Sequence, residues 1–251
     1  MDLEKKIEDA RRFFGIRQYP GNLFQLLGNS KELIEEHNLF LFKQDLDNLS
    51  GFIGYSSDYT IICINFNRSI GHQNFTLAHE LGHMFLHNGV SKSDVDPEKS
   101  GSDQEELEAN LFASELIYPR RFVEEDFEFI IENDLINPNL WGELADYIHS
   151  LCQKYFTSFK FTYHQLFKER LDRYQERERF YNELIKYIGR LSDRYPSYFY
   201  VPEPHHEFYQ PSFEPYNYMK EIINELIDKQ ELGLETGEAI IERYGYLGGK
   251  L

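Results

Sequence analysis

This sequence is short of the residues that mark several protein classes. It has two cysteines in 251 residues, and Cys63 and Cys152 form no C-x-x-C pair, which excludes a disulfide-stapled scaffold or a multi-cysteine metal knuckle. No apolar run approaches the roughly 18 residues that cross a bilayer. No basic-then-apolar stretch opens the chain, so the expectation is a cytoplasmic protein with no membrane segment. Cations are scarce too: 26 Lys and Arg stand against 43 Asp and Glu, a formal net charge of -17. A surface of that sign cannot replace the counterions of a nucleic acid, so direct nucleic-acid binding is not expected. The charge suits plain solubility or the attraction of a basic partner equally well.

What is present is enough for a core. Hydrophobic residues make up 41% of the chain, and its length allows one large domain or two modest ones. Residues 1–38 read as helical, with breaks near Gly15 to Gly21 and at Gly28. Three strand-like runs follow, Leu39 to Lys43, Gly51 to Ser56 and Thr60 to Phe66, aromatic and β-branched and separated by Asp, Asn, Ser and Gly. Cys63 lies inside the last of these and reads as a buried strand thiol. A small sheet followed by a helix is the layout expected if an edge strand binds an extended peptide.

The helix that follows carries the chemistry. Asn74-Phe75-Thr76-Leu77-Ala78-His79-Glu80-Leu81-Gly82-His83-Met84-Phe85-Leu86-His87 reads as one amphipathic helix, with Asn74 as N-cap and Gly89 as its stop. Leu77, Leu81 and Phe85 recur at helical spacing and face the core. His79 and His83 are one turn apart and project toward a single point. H-E-x-x-H on a helix is the pattern that holds a catalytic zinc, with Glu80 as general base. Neutral imidazoles leave the ion's charge uncancelled, so it acidifies its bound water to a pKa near ~7. The competing reading is a surface helix that happens to carry two histidines and an acid, and a third ligand would separate the two.

Residues 91–102 are rich in Ser, Lys, Asp, Pro and Gly and read as a loop. A second helix is expected from Asp103 to Leu116, capped by Ser102 or Asp103, with Leu107, Leu111 and Ser114 on one stripe. Ala109 and Ala113 allow close approach to the motif helix. A carboxylate from this helix would complete a His2Glu site and leave the fourth position to water. Glu105, Glu106 and Glu108 are all available. The spacing of Glu106 to Asn110 favours Glu106, because Asn110 would then hydrogen-bond and orient a ligand.

Phe75-Thr76-Leu77-Ala78-His79-Glu80-Leu81-Gly82-His83, the Leu86-His87 pair, and the later Glu106-x-x-Ala109-Asn110-x-Phe112-Ala113 with Leu116-Ile117-Tyr118-Pro119 resemble the ImmA/IrrE family of zinc metallopeptidases, over roughly residues 20–125. The resemblance implies His79, His83 and Glu106 as zinc ligands and Glu80 as the catalytic acid/base. It implies a gluzincin-like core. It also implies a substrate class, helix-turn-helix repressor proteins, cut to derepress mobile-element or stress-response genes.

Other residues invite roles that the chemistry weighs against. His87 as a fourth protein ligand would close the site to water, so it reads as a core histidine or one that supports a ligand. His72 could line the cleft or lie exposed in a loop. Tyr118 could stabilise an oxyanion, but the chain has 18 tyrosines. His205 and His206 have nothing nearby to complete a site. The acid-rich stretch from Glu98 to Asp134 could steer a basic protein toward the site or simply be a solvated surface.

Beyond the motifs, residues 121–151 carry helical patterns, and Phe161 to Leu191 is charge-mixed and reads as a long exposed helix. Residues 196–218, rich in proline and aromatics, read as an extended strap or binding segment. A last helical pair is expected at Tyr218 to Gln230 and Thr236 to Tyr244, closed by Gly245, Gly248 and Gly249. The expectation is therefore an α+β protein with a metallopeptidase-like domain at 1–124, of small sheet plus motif helix, and a mostly helical C-terminal region at 125–251. Its expected function is zinc-dependent endopeptidase, with a helix-turn-helix repressor as substrate. The rival is a non-cleaving zinc-containing binding module, an antirepressor or toxin–antitoxin partner, that acts by sequestration. Glu80 weighs against the rival, since binding alone needs no general base. The sequence does not fix an oligomeric state.

Overall fold

The alternation of large apolar side chains in the strands builds a sheet buried on both faces. A computed structural model describes residues 3–27, 30–55, 58–87, 92–94, 104–168, 174–212 and 214–245. Helices α1 (Leu3–Phe13), α2 (Leu23–Leu27) and α3 (Ser30–His37) precede strands β1 (Leu39–Gln44), β2 (Gly51–Tyr55) and β3 (Thr60–Asn65). The motif helix α4 (Ile70–Leu86), a short strand β4 (Lys92–Asp94) and helix α5 (Gln104–Ile117) follow. Strand order is β1-β3-β2-β4, with β1 parallel to β3 and the other pairs antiparallel. Part of the expected loop at 91–102 is thus a strand; the caps at Ser102 or Asp103 and the stop at Gly89 lie outside the described residues.

Period-two spacing sends Leu39, Leu41, Ile53, Ile62 and Ile64 into the main core with α4, while Phe40, Phe42 and Cys63 join Ile34, Tyr216 and Tyr218 on the opposite face. Cys63 is a buried strand thiol as expected, its pKa pushed up to about 12 by burial.

Helix α4 differs from an amphipathic surface helix. Every residue in it except His72, Met84 and Phe85 is buried, because the sheet covers one side and α5 another. Fully buried Leu77 and Leu81 each stabilise the fold by on the order of 2 kcal/mol relative to exposure. The helix begins a turn before Asn74, after Ser69. Asn74 is therefore no cap: its Oδ1 accepts from Leu23 N at 2.8 Å and its Nδ2 donates to the Gly21 carbonyl at 2.9 Å, which ties the helix to the N-terminal segment.

The C-terminal region contributes α6 (Arg120–Glu132), α7 (Trp141–Tyr155), α8 (Phe159–Phe167), α9 (Tyr174–Ile188), the short α10 (Leu191–Arg194), α11 (Glu214–Asp228) and α12 (Leu234–Gly245). The long helix expected from Phe161 to Leu191 is two helices, α8 and α9, and α9 buries Leu184. Ile130, Ile148, Tyr163 and Phe199 share the main core cluster with Leu77 and Leu81. The segment after α10 straps the free edge of β1: Ser212 N donates to the Lys43 carbonyl at 3.0 Å, Lys43 N donates to Ser212 Oγ at 3.1 Å, and Lys43 Nζ donates to the Phe208 carbonyl at 2.5 Å. Among the described residues no helix is long and apolar enough to cross a membrane.

Candidate metal centre

Small residues let α4 and α5 touch. A Cβ on Gly82 would lie 3.1 Å from Ala109 Cα and 3.2 Å from Phe112 Cδ1, so a side chain here would push the helices apart. That contact turns the buried face of α5 (Glu106, Ala109, Phe112, Ala113, Leu116 and Ile117) toward α4. The face is not the expected stripe: Leu107 and Leu111 are exposed.

This packing brings three donor groups together. His79 Nε2 and His83 Nε2 are 3.0 Å apart. Glu106 Oε2 lies 3.1 Å from His79 Nε2 and 3.4 Å from His83 Nε2. All three residues are buried. Among the described residues they form the one group of three or more His, Cys, Asp or Glu whose ligand atoms converge, within 4.8 Å of one another. Of the three acids in question, Glu106 is the buried one; Glu105 and Glu108 are half-exposed.

The tautomers follow from the outer partners. His79 Nδ1 lies 3.0 Å from Asn110 Oδ1, an acceptor, so the ring carries its proton there and turns the Nε2 lone pair inward. That lone pair faces a carboxylate oxygen and a second imidazole nitrogen at hydrogen-bond distance. With His83 turned the same way, two imidazole lone pairs and an anionic oxygen would share one buried spot, an arrangement that a cation between them relieves. Two imidazoles and one carboxylate are also the donor set that binds a divalent transition ion such as zinc. The residues present therefore fit a metal ion.

Glu80, buried, follows His79 directly. It raises the pKa of two neighbours: burial first, then the Glu80 charge, pushes the Tyr55 phenol and the Cys63 thiol each up to about 12. Tyr55, at the end of β2, is thus a neighbour of the motif glutamate that sequence reading passes over, since one tyrosine among 18 carries no local signal.

The other candidates are placed elsewhere. Tyr118 OH donates to Asp126 Oδ2 at 2.8 Å, joined there by Tyr155 OH at 2.9 Å. His72 Nε2 lies 2.9 Å from Ser50 Oγ. His206 stacks on Tyr198, with ring centroids 4.3 Å apart. His87 sits behind His83, Nδ1 to Nδ1 at 3.1 Å, with its Nε2 3.1 Å from Glu108 Oε2. Of the acid-rich stretch, α6 exposes Glu124, Glu125, Glu128 and Glu132, while Asp126 is buried.

Comparison with a protein-family model covers the same part of the chain. The family model described as IrrE N-terminal-like domain matches residues 34–138. The metallopeptidase ImmA of Bacillus subtilis (strain 168) is 33% identical over 103 residues, which span 41% of this chain and 61% of that protein. The residues that the family model matches contain α4 and α5 with the whole donor cluster, so this part of the chain is similar to the IrrE N-terminal-like domain.

Proposed function

We propose that this protein is a zinc-dependent endopeptidase whose substrate is a helix-turn-helix repressor. The observation that carries the reading is the convergence of His79, His83 and Glu106 with Glu80 next in the chain to His79. His79 and His83 would hold the ion through Nε2 and Glu106 through its carboxylate. Zinc bound there supplies Lewis acidity, polarising a peptide carbonyl and making water easier to deprotonate. Glu80 takes a proton from the attacking water as its oxygen bonds to the carbonyl carbon. It then returns that proton to the amide nitrogen as the C–N bond breaks, so peptide and water give a carboxylic acid and an amine. Glu80 is buried, so bulk water is held away from this proton transfer. The substrate class comes from the family resemblance, and the acidic balance of the chain suits a basic DNA-binding protein.

The test is cleavage of a helix-turn-helix repressor by the purified, zinc-loaded chain, read by mass spectrometry of the fragments. Glu80→Gln keeps the shape and both imidazoles but cannot accept the proton, so cleavage should fall by about 10²–10⁴-fold or more while zinc content persists. A Glu80→Gln variant that derepresses the target promoter as well as the parent would establish sequestration as the output instead.

A further inference from the structure

We infer that His87 and Glu108 form a positioning arm that fixes His83 as an Nε2 ligand; the inference rests on the reading that His79, His83 and Glu106 hold a metal ion. A neutral imidazole has one proton. If His83 Nε2 gives its lone pair to the ion, that proton is on Nδ1. His83 Nδ1 lies 3.1 Å from His87 Nδ1, so His83 donates and His87 Nδ1 must be the bare nitrogen. His87 then carries its own proton on Nε2, which points at Glu108 Oε2 at 3.1 Å. Gln104 Nε2 donates to the other oxygen of the same carboxylate at 2.9 Å. Each donor and acceptor in the arm is thereby assigned, from the carboxylate inward to the ion.

The two histidine ligands are held differently. His79 leans on Asn110, a neutral amide on α5. His83 leans on a second imidazole, His87 at the C-terminal cap of α4, whose far side reaches a carboxylate on α5. A carboxylate behind a ligand histidine makes it a stronger base and fixes its ring; here that influence passes through one extra ring. The His87 side chain is 8% exposed and that of Glu108 30%, so the arm runs from the buried centre to the surface. It also accounts for a histidine one turn past H-E-x-x-H that cannot be a fourth ligand without closing the site to water.

The test is zinc affinity of the full-length protein by chelator competition. His87→Phe removes the acceptor and should weaken zinc binding by about 10–100-fold. His87→Gln, whose side-chain carbonyl can still accept from His83, should recover most of that loss. Glu108→Ala, at a half-exposed position, should fall between the parent and His87→Phe. Melting of the metal-free proteins separates positioning from folding. Nitrogen NMR of the zinc-loaded parent should place the His83 proton on Nδ1 and show it protected from exchange, and His87→Phe should lose that protection. The inference is overturned if His87→Phe or Glu108→Ala binds zinc as tightly as the parent, or if His87→Gln is as weak as His87→Phe. A parent that binds no zinc refutes the metal reading itself, a result distinct from a parent that binds and variants that bind equally.

Discussion

Gly71, in the first turn of α4, lies directly against the backbone of Thr157: a Cβ there would be 2.2 Å from the Thr157 carbonyl carbon and 2.1 Å from Ser158 N. The motif helix is thus seated on the connection between α7 and α8, and backbone atoms cannot rotate aside as a side chain can. Gly71→Ala should destabilise by about 2 kcal/mol or more, a fall in melting temperature of about 5 °C for a chain of this size. At Gly54 a Cβ meets nothing within 4 Å, so Gly54→Ala should melt within about 1 °C of the parent. Equal melting of the two variants in a thermal scan would show that α4 is not seated in this way.

Asp126 gathers hydroxyls from three tyrosines. Tyr118 and Tyr155 donate to Oδ2 at 2.8 and 2.9 Å, Tyr147 donates to Oδ1 at 3.2 Å, and Lys154 Nζ is 3.6 Å away. Asp126→Asn removes the charge that strengthens these bonds and should cost about 3 kcal/mol in chemical denaturation. Tyr118→Phe should cost about 1–3 kcal/mol but leave cleavage per folded molecule nearly unchanged, because its hydroxyl serves Asp126. Loss of turnover without loss of stability in Tyr118→Phe would return that hydroxyl to the reaction.

Lys43, beneath the strap on β1, gives a pH signature. Burial lowers its pKa from an ordinary 10.5 to about 8, the Glu207 charge offsetting part of the effect. Between those values the unfolded chain holds a proton that the folded chain has released, so stability rises with pH across the window. The cost of the buried ammonium is fully present below about pH 8 and is relieved above it. Above about pH 10 the sign reverses, since the buried Tyr118 and Tyr155 phenols have raised pKa values and stay protonated in the fold after the unfolded chain has lost those protons. Denaturation of the parent against Lys43→Met should show the parent gaining about 1 kcal/mol or more on the variant between pH 8 and pH 10. A difference that stays flat with pH would mean the ammonium is solvated and the strap does not cover it.

Much of the site was legible because its signals are local. His79 and His83 need only the pitch of one helix, and Ala109 and Ala113 announce a close helix pair by having little side chain. The strands β1, β2 and β3 fall within a residue or two of their apolar runs for the same reason. What escaped depends on partners far along the chain. Asn74 resembles a cap in isolation, but its amide is satisfied by Gly21 and Leu23, 53 and 51 residues away, so the helix could begin earlier. Leu107 and Leu111 resemble a core stripe until the contact at Ala109 fixes which face of α5 turns inward. The pairing of Ser212 with Lys43 spans 169 residues, and no periodicity encodes it.

Glu106 is the residue on which the metal reading can be separated from a merely structural cluster. Its carboxylate is buried beside two imidazoles, and burying an anion away from water is costly in the metal-free protein. Glu106→Gln removes that anion with little change of shape, so the metal-free variant should melt at or above the parent. Zinc should reverse the order. A ligand that binds only the folded state stabilises it by about 2.7 kcal/mol at a hundredfold excess over its dissociation constant. That corresponds to a rise of about 5–10 °C in the melting temperature of the parent. Glu106→Gln lacks the anionic donor and should lose most of the rise, whereas Glu105→Gln should keep it. The measurement is a pair of thermal scans for each protein, with chelator and with zinc. A Glu106→Gln variant that keeps the full zinc-dependent rise, or a Glu105→Gln variant that loses it, would assign the third ligand to a different residue of α5.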